Sequence, residues 1–366
     1  MESSTNRKER AKKWFEKSRE KGFLLLSRAR SRRPAFIISL VILAVMLAAT
    51  TISWQQAWVR VHNDSQQRSS QVLTNTYNTL QARLMIYSNI LSGTKAFFES
   101  SEHVTAGEFD SYFSSLQVKQ KYAGFSAISY VAKVPEANKS AFIAQARADT
   151  TLPAQSKPNY TIYPTASRDV YYPILYTYKG STPLDTIGYD LGTSSTRIES
   201  LEATGAANSL ALSNTLNLNS SDTTQTAVRP GFSMTVPVYS NGHYTTGDQP
   251  VGFLVASFEH KLILADLMAS EGQGALLRVF DQASGGTKIY EQGDVAVLAN
   301  EHRTQVIDYS MGGKTWRLEL NTPMSFGISS TDQNLPRVIG VAGLIITALL
   351  LAYFLSGSDL SRRRRP

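Results

Sequence analysis

Two long stretches without a charged residue divide this 366-residue chain and fix what the rest of it can be. The first runs for 26 residues from Pro34 to Val59 around an apolar centre, Phe36-Ile-Ile-Ser-Leu-Val-Ile-Leu-Ala-Val-Met-Leu47. The second runs for 21 residues from Val338 to Ser358 and is dense in Leu, Ile and Ala. As helix, each is long enough to cross ~30 Å of hydrocarbon. A signal peptide is the rival reading of the first stretch. Its apolar core exceeds the roughly 7–15 residues usual for such a leader, and a long basic segment precedes it.

Charge orients the two spans. Residues 1–33 hold 12 Lys and Arg against 4 Glu, and residues 362–365 are four consecutive Arg. Setting aside those tails, Arg337 and Asp359, 20 of the 37 basic and 24 of the 29 acidic residues lie between the spans. The positive-inside rule then puts both ends in the cytoplasm and residues from about 56 to 336 outside. The net charge of +8 therefore points to anchoring, with no nucleic-acid partner expected. Trp14, Phe15 and Phe23-Leu-Leu-Leu26 among the basic residues suit anionic headgroups. Cysteine is absent, so the outer part must be held by core packing alone.

Beyond the first span, Leu73, Tyr77, Leu80, Leu84, Tyr87, Leu91, Thr94 and Phe98 recur at steps of four and three. That spacing predicts a long stalk helix and leaves two uses open: a seam with a second copy, or a stripe packed on the chain's own domain. Thr105-Ala-Gly-Glu108 reads as a capping box, followed by Phe109, Tyr112, Phe113 and Leu116 at helical spacing. Alternation from Ser126 to Val134 reads as a strand, and Pro135-Glu136 opens a helix to about Asp149. Further strands are expected at 170–178, 208–217, 231–239 and 250–258, with a helix from about Ser195 stopped by Gly205. A helix over 259–269 and strands at 275–281, 304–310 and 314–320 suggest a second, smaller module.

Catalytic motifs are missing. The histidines (His62, His103, His243, His260, His302) form no His-x-x-x-His pair, and no phosphate loop, nucleophile elbow or dinucleotide fingerprint occurs. Asp185 with Asp190, or Glu199 with Glu202, are acid pairs by sequence proximity only. We expect no enzyme, no metal and no cofactor. The aromatic run Tyr171-Tyr-Pro-Ile-Leu-Tyr-Thr-Tyr178 must line either a core or a cavity. Asp190 lies in the apolar setting Ile187-Gly-Tyr-Asp-Leu191, where its carboxylate needs donors from a ligand or from a neighbour such as Arg168 or Arg197.

In order and spacing, one set of residues carries a family likeness: Gly93-Thr-Lys-Ala-Phe-Phe98, Glu108-Phe109, Gly124-Phe125, Ile128, Tyr171-Tyr-Pro-Ile-Leu-Tyr176, Gly188-Tyr-Asp-Leu191, Arg197, Leu201-Glu202, Gly205, Gly231-Phe232, Pro237-Val-Tyr239 and Val251-Gly-Phe253. Through them the run from about Leu91 to Phe258 resembles the CHASE domain, the extracytoplasmic sensor of bacterial histidine kinases and cyclases and of plant cytokinin receptors. The resemblance implies an α+β fold: a long N-terminal helix and two PAS-like modules, flanked here by two transmembrane helices. The expected order is a basic cytoplasmic tail (1–33), a transmembrane helix (34–56), a stalk helix (57–104), a membrane-distal module (105–258), a membrane-proximal module (259–335), a second transmembrane helix (336–357) and a basic tail (358–366).

The family places its ligand pocket in the distal module. In the plant receptors an aspartate and a leucine 22 residues later contact the ligand, and those positions match Asp190 and Leu212. With Tyr172, Tyr176 and Phe232 they form the expected ligand-binding set. Expected partners are a small-molecule ligand, the bacterial inner membrane, a second copy through the stalk and a separate signalling protein, because 11 residues from Ser356 to Pro366 are too few for an output domain unless the receptor is cut short. The alternative is an envelope scaffold of the same fold without ligand, its pocket filled by Tyr172, Tyr176 and Phe232.

Overall fold

The computed structural model describes residues 4–363 apart from 123, 153–157, 181–185, 222–227, 241–243, 246 and 283–284. Asp185, His243, Arg364 and Arg365 therefore lie outside the described residues, as do the side chains of the N-terminal basic tail. The chain divides into two units, residues 1–66 with 327–366, and residues 67–326.

The first unit holds both apolar stretches. Helix α1 (Ser4–Glu99) starts in it and continues into the second unit, and α7 (Ser330–Arg363) closes it. Both helices are long and apolar enough to cross a membrane. Leu40, Val45, Val341 and Leu344 are more than half exposed, as lipid-facing side chains would be. The helices touch through small residues: a Cβ at Gly343 would stand 2.3 Å from Thr50 Cγ2, so only glycine permits this approach.

The second unit begins with the stalk part of α1, which ends at Glu99, five residues short of the expected boundary. The Thr105 capping box is present, with reciprocal bonds between Thr105 and Glu108, and starts α2 (Ala106–Ser115). Then follow α3 (Val118–Lys121), β1 (Phe125–Ala132), β2 (Val134–Pro135), α4 (Lys139–Ala148), β3 (Val170–Tyr171), β4 (Ile174–Lys179), α5 (Ser195–Ala207), β5 (Ala211–Leu212), β6 (Leu216–Asn217), β7 (Pro230–Val238) and β8 (Gly252–Glu259). The distal sheet is antiparallel in the order β4-β1-β8-β7-β5, with β6 also on β7. Gly205 does not stop α5. It lies inside the helix, where a Cβ would be 2.9 Å from Pro250, and Asn208 (φ 45°) supplies the left-handed cap.

The proximal module comprises α6 (His260–Ile263), β9 (Leu276–Asp281), β10 (Thr287–Gly293), β11 (His302–Met311) and β12 (Lys314–Pro323), its sheet ordered β10-β9-β12-β11. The helix expected over 259–269 lasts one turn, His260–Ile263, and Asp266 beyond it adopts φ 52°, which no continuing helix could pass.

Strand parity decides what each face of the distal sheet meets. Ile128, Tyr176, Tyr178, Met234, Val236, Leu254, Ala256 and Phe258 point to one side and share a core with Leu73, Leu80, Leu84, Tyr87 and Leu91 of the stalk. The stalk stripe is thus buried against its own domain, Leu80, Leu84 and Leu91 completely. Each such leucine contributes about 1.5–3 kcal/mol by burial. Leu277, Val279, Trp316, Leu318 and Leu320 of the proximal sheet extend the same core, so the two modules and the stalk fold as one packed body.

Candidate functional site

The opposite parity builds something different. Ala127, Ser129 and Val131 of β1, Val255 and Ser257 of β8, and Ser233 and Thr235 of β7 share the face turned away from the stalk. Ser129 pairs with Val255, Val255 with Thr235, and Ser257 with Ser233, so the hydroxyls lie side by side. A sheet face covered by other elements is ordinarily filled with branched apolar side chains, because a covered hydroxyl must find a partner or lose its hydration. Here serine and threonine occupy those positions, and they enclose a chamber.

Its cover comes from three segments: Thr186, Tyr189 and Leu191; Arg197, Ser200 and Leu201 on α5; and Ser213, Leu216 and Leu218 around β5 and β6. The chamber offers about 60 Å³ to the centres of water molecules. One water needs roughly 10–15 Å³ by that measure, so there is room for about four to six waters or a ligand of similar bulk. Ser129 Oγ is 3.1 Å from Thr177 Oγ1, and Ser213 Oγ accepts the Ser233 N–H, so the wall is partly networked. The Arg197 guanidinium stands 5.8 Å from the centre of the Tyr189 ring, and burial pushes its pKa down.

None of the five residues expected to bind ligand lines this chamber. Asp190 is fully buried beside it, but its Oδ1 accepts the N–H groups of Tyr172 (2.8 Å) and Gly192 (2.9 Å), and its Oδ2 is 3.2 Å from Arg168 Nε. The carboxylate clamps the loop that carries Tyr189 and Leu191. Tyr172 packs near Phe253 and donates its hydroxyl to Glu202, which Lys133 also holds at 3.0 Å. Tyr176 and Phe232 have the stalk-side parity: Tyr176 donates to Val104 O, and Phe232 stacks on Phe258 and against Trp316. Leu212 faces the same core, while its neighbour Ser213 reaches the chamber. The rings therefore do not fill the chamber either.

Ser129, Ser233, Thr235 and Ser257 are not among the residues the sequence singles out; they are the polar phase of segments whose pattern marks them only as strands. Polar phases normally face water, which is why the alternation concealed them. A second cleft of about 380 Å³ opens on the stalk side, where Tyr130 and Tyr176 meet Phe98, Phe142 and Asp149. Among the described residues no three His, Asp or Glu side chains cluster as metal ligands would.

A family model for the CHASE domain matches residues 102–290. No curated protein matches the chain. Among solved structures, the periplasmic sensory domain of the Campylobacter jejuni chemoreceptor Tlp1 is similar at 12% identity and a TM-score of 0.44, covering 73% of this chain and 98% of that one. A domain described under the sensory box/GGDEF family, from Vibrio parahaemolyticus, is similar at 9% identity and a TM-score of 0.41, covering 72% and 97%.

Proposed function

The chain belongs to the CHASE domain family, and on that premise we propose that it is a membrane-anchored extracytoplasmic sensor whose ligand occupies the hydroxyl-lined chamber of the distal module. One observation carries the reading: the covered face of the distal sheet presents Ser129, Ser233, Thr235 and Ser257 where a filled core would present aliphatic side chains. Enclosed hydroxyls are satisfied by water until a ligand replaces it. A ligand bound between the sheet and its cover changes the balance between conformations only by its differential affinity, about 1.4 kcal/mol for each tenfold preference.

The membrane arrangement we propose is two spans in a bacterial inner membrane with both termini cytoplasmic, supported by the 12 basic residues before the first span and the four arginines after the second. The proposed second copy must use another face of the stalk than the buried stripe. Gln71, Asn75, Asn78, Ala82, Met85, Asn89, Ser92 and Ala96 are exposed, uncharged and again spaced by four and three, which suits a parallel pair of stalks.

The test is calorimetric titration of the full chain in nanodiscs with a library of small polar metabolites, beside Ser257→Leu, which fills the chamber. Binding to the wild type that is lost in the folded variant supports the sensor. Silence of the library with an intact fold favours the scaffold reading, and binding untouched by Ser257→Leu moves the site elsewhere.

A further inference from the structure

The stalk-side cleft lies on the other face of the distal sheet from the chamber and is built differently. Its volume is about 380 Å³, against about 60 Å³ for the chamber. Five aromatic rings line it: Phe98 from the last turn of the stalk, Tyr130 from β1, Phe142 from α4, Tyr176 from β4 and Tyr239 after β7. Phe98 stacks on Tyr130 with 4.4 Å between ring centres. Gly252 makes room for the Tyr130 hydroxyl, since a Cβ there would stand 2.6 Å from the oxygen. Among the described residues that hydroxyl has no hydrogen-bond partner, and burial pushes its pKa up, so it stays a phenol able to accept an N–H.

The free charge on the walls is negative. Glu102, on the loop after the stalk beside His103, is exposed, and among the described residues nothing pairs with its carboxylate. Asp149 caps the C-terminus of α4, the negative end of that helix. Burial alone would raise its pKa, but bonds from Thr151, Ala106 and Tyr176 outweigh it and hold the carboxyl below the usual carboxylate range. Lys133, also in the wall, has its ammonium on Glu202 at 3.0 Å and on Gln249 at 3.1 Å, which offsets its charge.

We infer that this cleft is a second binding site, separate from the chamber, for an organic ammonium ion with an aromatic or apolar body. The rings bury the body, and their negative faces attract a cation. Glu102 accepts from the ammonium, the Tyr130 hydroxyl offers a further acceptor, and the Asp149 carboxylate, its oxygens already bonded, adds its charge. An anion in the same place would meet two carboxylates and the C-terminal end of α4. Phe98 and Ser101 to Val104 belong to the stalk and the loop that leaves it, so a bound amine ties the end of the stalk to α4 and the sheet. The chamber touches no part of the stalk, and the two sites thus act on different elements.

The experiment is equilibrium dialysis of phenethylamine, phenethyl alcohol and phenylacetate, three compounds of one shape and different charge, against the full chain in phosphatidylcholine nanodiscs, with empty discs correcting for uptake by lipid. Phenethylamine binds at least about tenfold more tightly than the other two. Glu102→Lys, on an exposed loop, removes that preference or turns it toward phenylacetate, and Tyr130→Phe weakens the amine by about threefold. Ser257→Leu, which fills the chamber, leaves amine binding in place. Melting curves establish that the variants fold; should Glu102→Lys fail to, Glu102→Gln replaces it and is expected to narrow the preference. Equal binding of the three compounds, phenylacetate binding tightest, binding of none, or a ranking unmoved by either change at Glu102 overturns the inference. Amine binding lost in Ser257→Leu also overturns it, by placing the amine in the chamber, and that outcome leaves the chamber reading standing.

Discussion

The backbone N–H of Leu212 donates to the carbonyl of Gly312 at 2.9 Å, tying the distal module to the tip of the β11–β12 hairpin of the proximal one. Lys314 reaches Asn214 beside this bond, and Trp316 on the same hairpin packs edge-on against Phe232, 4.8 Å between ring centres. Ser213, which follows Leu212 directly, and Leu216, four residues on from Leu212, line the chamber. A ligand that shifts that wall therefore displaces a segment bonded to the proximal sheet. Gly312 is required there: its φ is 54°, and a Cβ would come within 2.7 Å of Leu212 N. Gly312→Val is expected to cost about 1–3 kcal/mol in urea unfolding. It should leave chamber affinity within about threefold, and it should abolish ligand-induced protection of the proximal sheet in hydrogen exchange.

Asp190 is expected to act on stability. Asp190→Ala leaves two buried N–H groups without an acceptor and should lower unfolding free energy by about 2–4 kcal/mol. Asp190→Asn, which keeps Oδ1 but loses the charge beside Arg168, should cost less. Unchanged stability with lost ligand affinity would instead put this carboxylate on the ligand.

For the stalk, the absence of cysteine makes single-cysteine crosslinking clean. Met85→Cys, half exposed in the wild type, should crosslink to a second copy in membranes, and the completely buried Leu84→Cys should not. Leu84→Asp should unfold the domain, since a charge in that core costs more than a small domain can spare. No crosslink from Met85→Cys or from Asn78→Cys would remove the proposed stalk pair.

His260 predicts a pH dependence. It is buried between Phe232 and Trp316 with neither ring nitrogen hydrogen-bonded, and burial pushes its pKa down to about 4, the nearby Asp281 opposing. The unfolded chain takes up this proton near 6.5, the folded chain only near 4, so stability falls as pH drops through that interval and levels off below it. The loss approaches about 3 kcal/mol. His260→Phe should flatten the stability profile between pH 6.5 and 4, and an unchanged slope would assign the dependence to other groups.

How far the sequence led depended on whether a pattern had one physical cause. The two spans follow from length and charge alone, and the Thr105–Glu108 box fixed the start of α2 because capping is local. The stalk stripe was ambiguous since the same spacing serves a partner helix or a sheet. Leu80 and Leu84 are resolved only by the sheet that covers them. Strand β10 carries no apolar alternation, because Thr287 to Gly293 lies at a sheet edge with mostly exposed side chains. Tyr176 and Phe232 share the stalk-facing side of the sheet with Met234 and Phe258, a placement that depends on the pairing register between strands and is not legible from residue type. Asp190 was sited correctly as a buried acid in need of donors, but which donors satisfied it depended on how the loop through Gly192 closes.

Hydrogen exchange of the full chain, with and without the tightest binder found by titration, tests the central claim most directly. Protection of β1, β7 and β8 together with the hairpin at 311–314 is the result expected of a chamber that binds ligand and passes the change toward the membrane. Protection confined to the stalk-side cleft around 98–104 and 142–149, with the chamber strands unaffected, would contradict it.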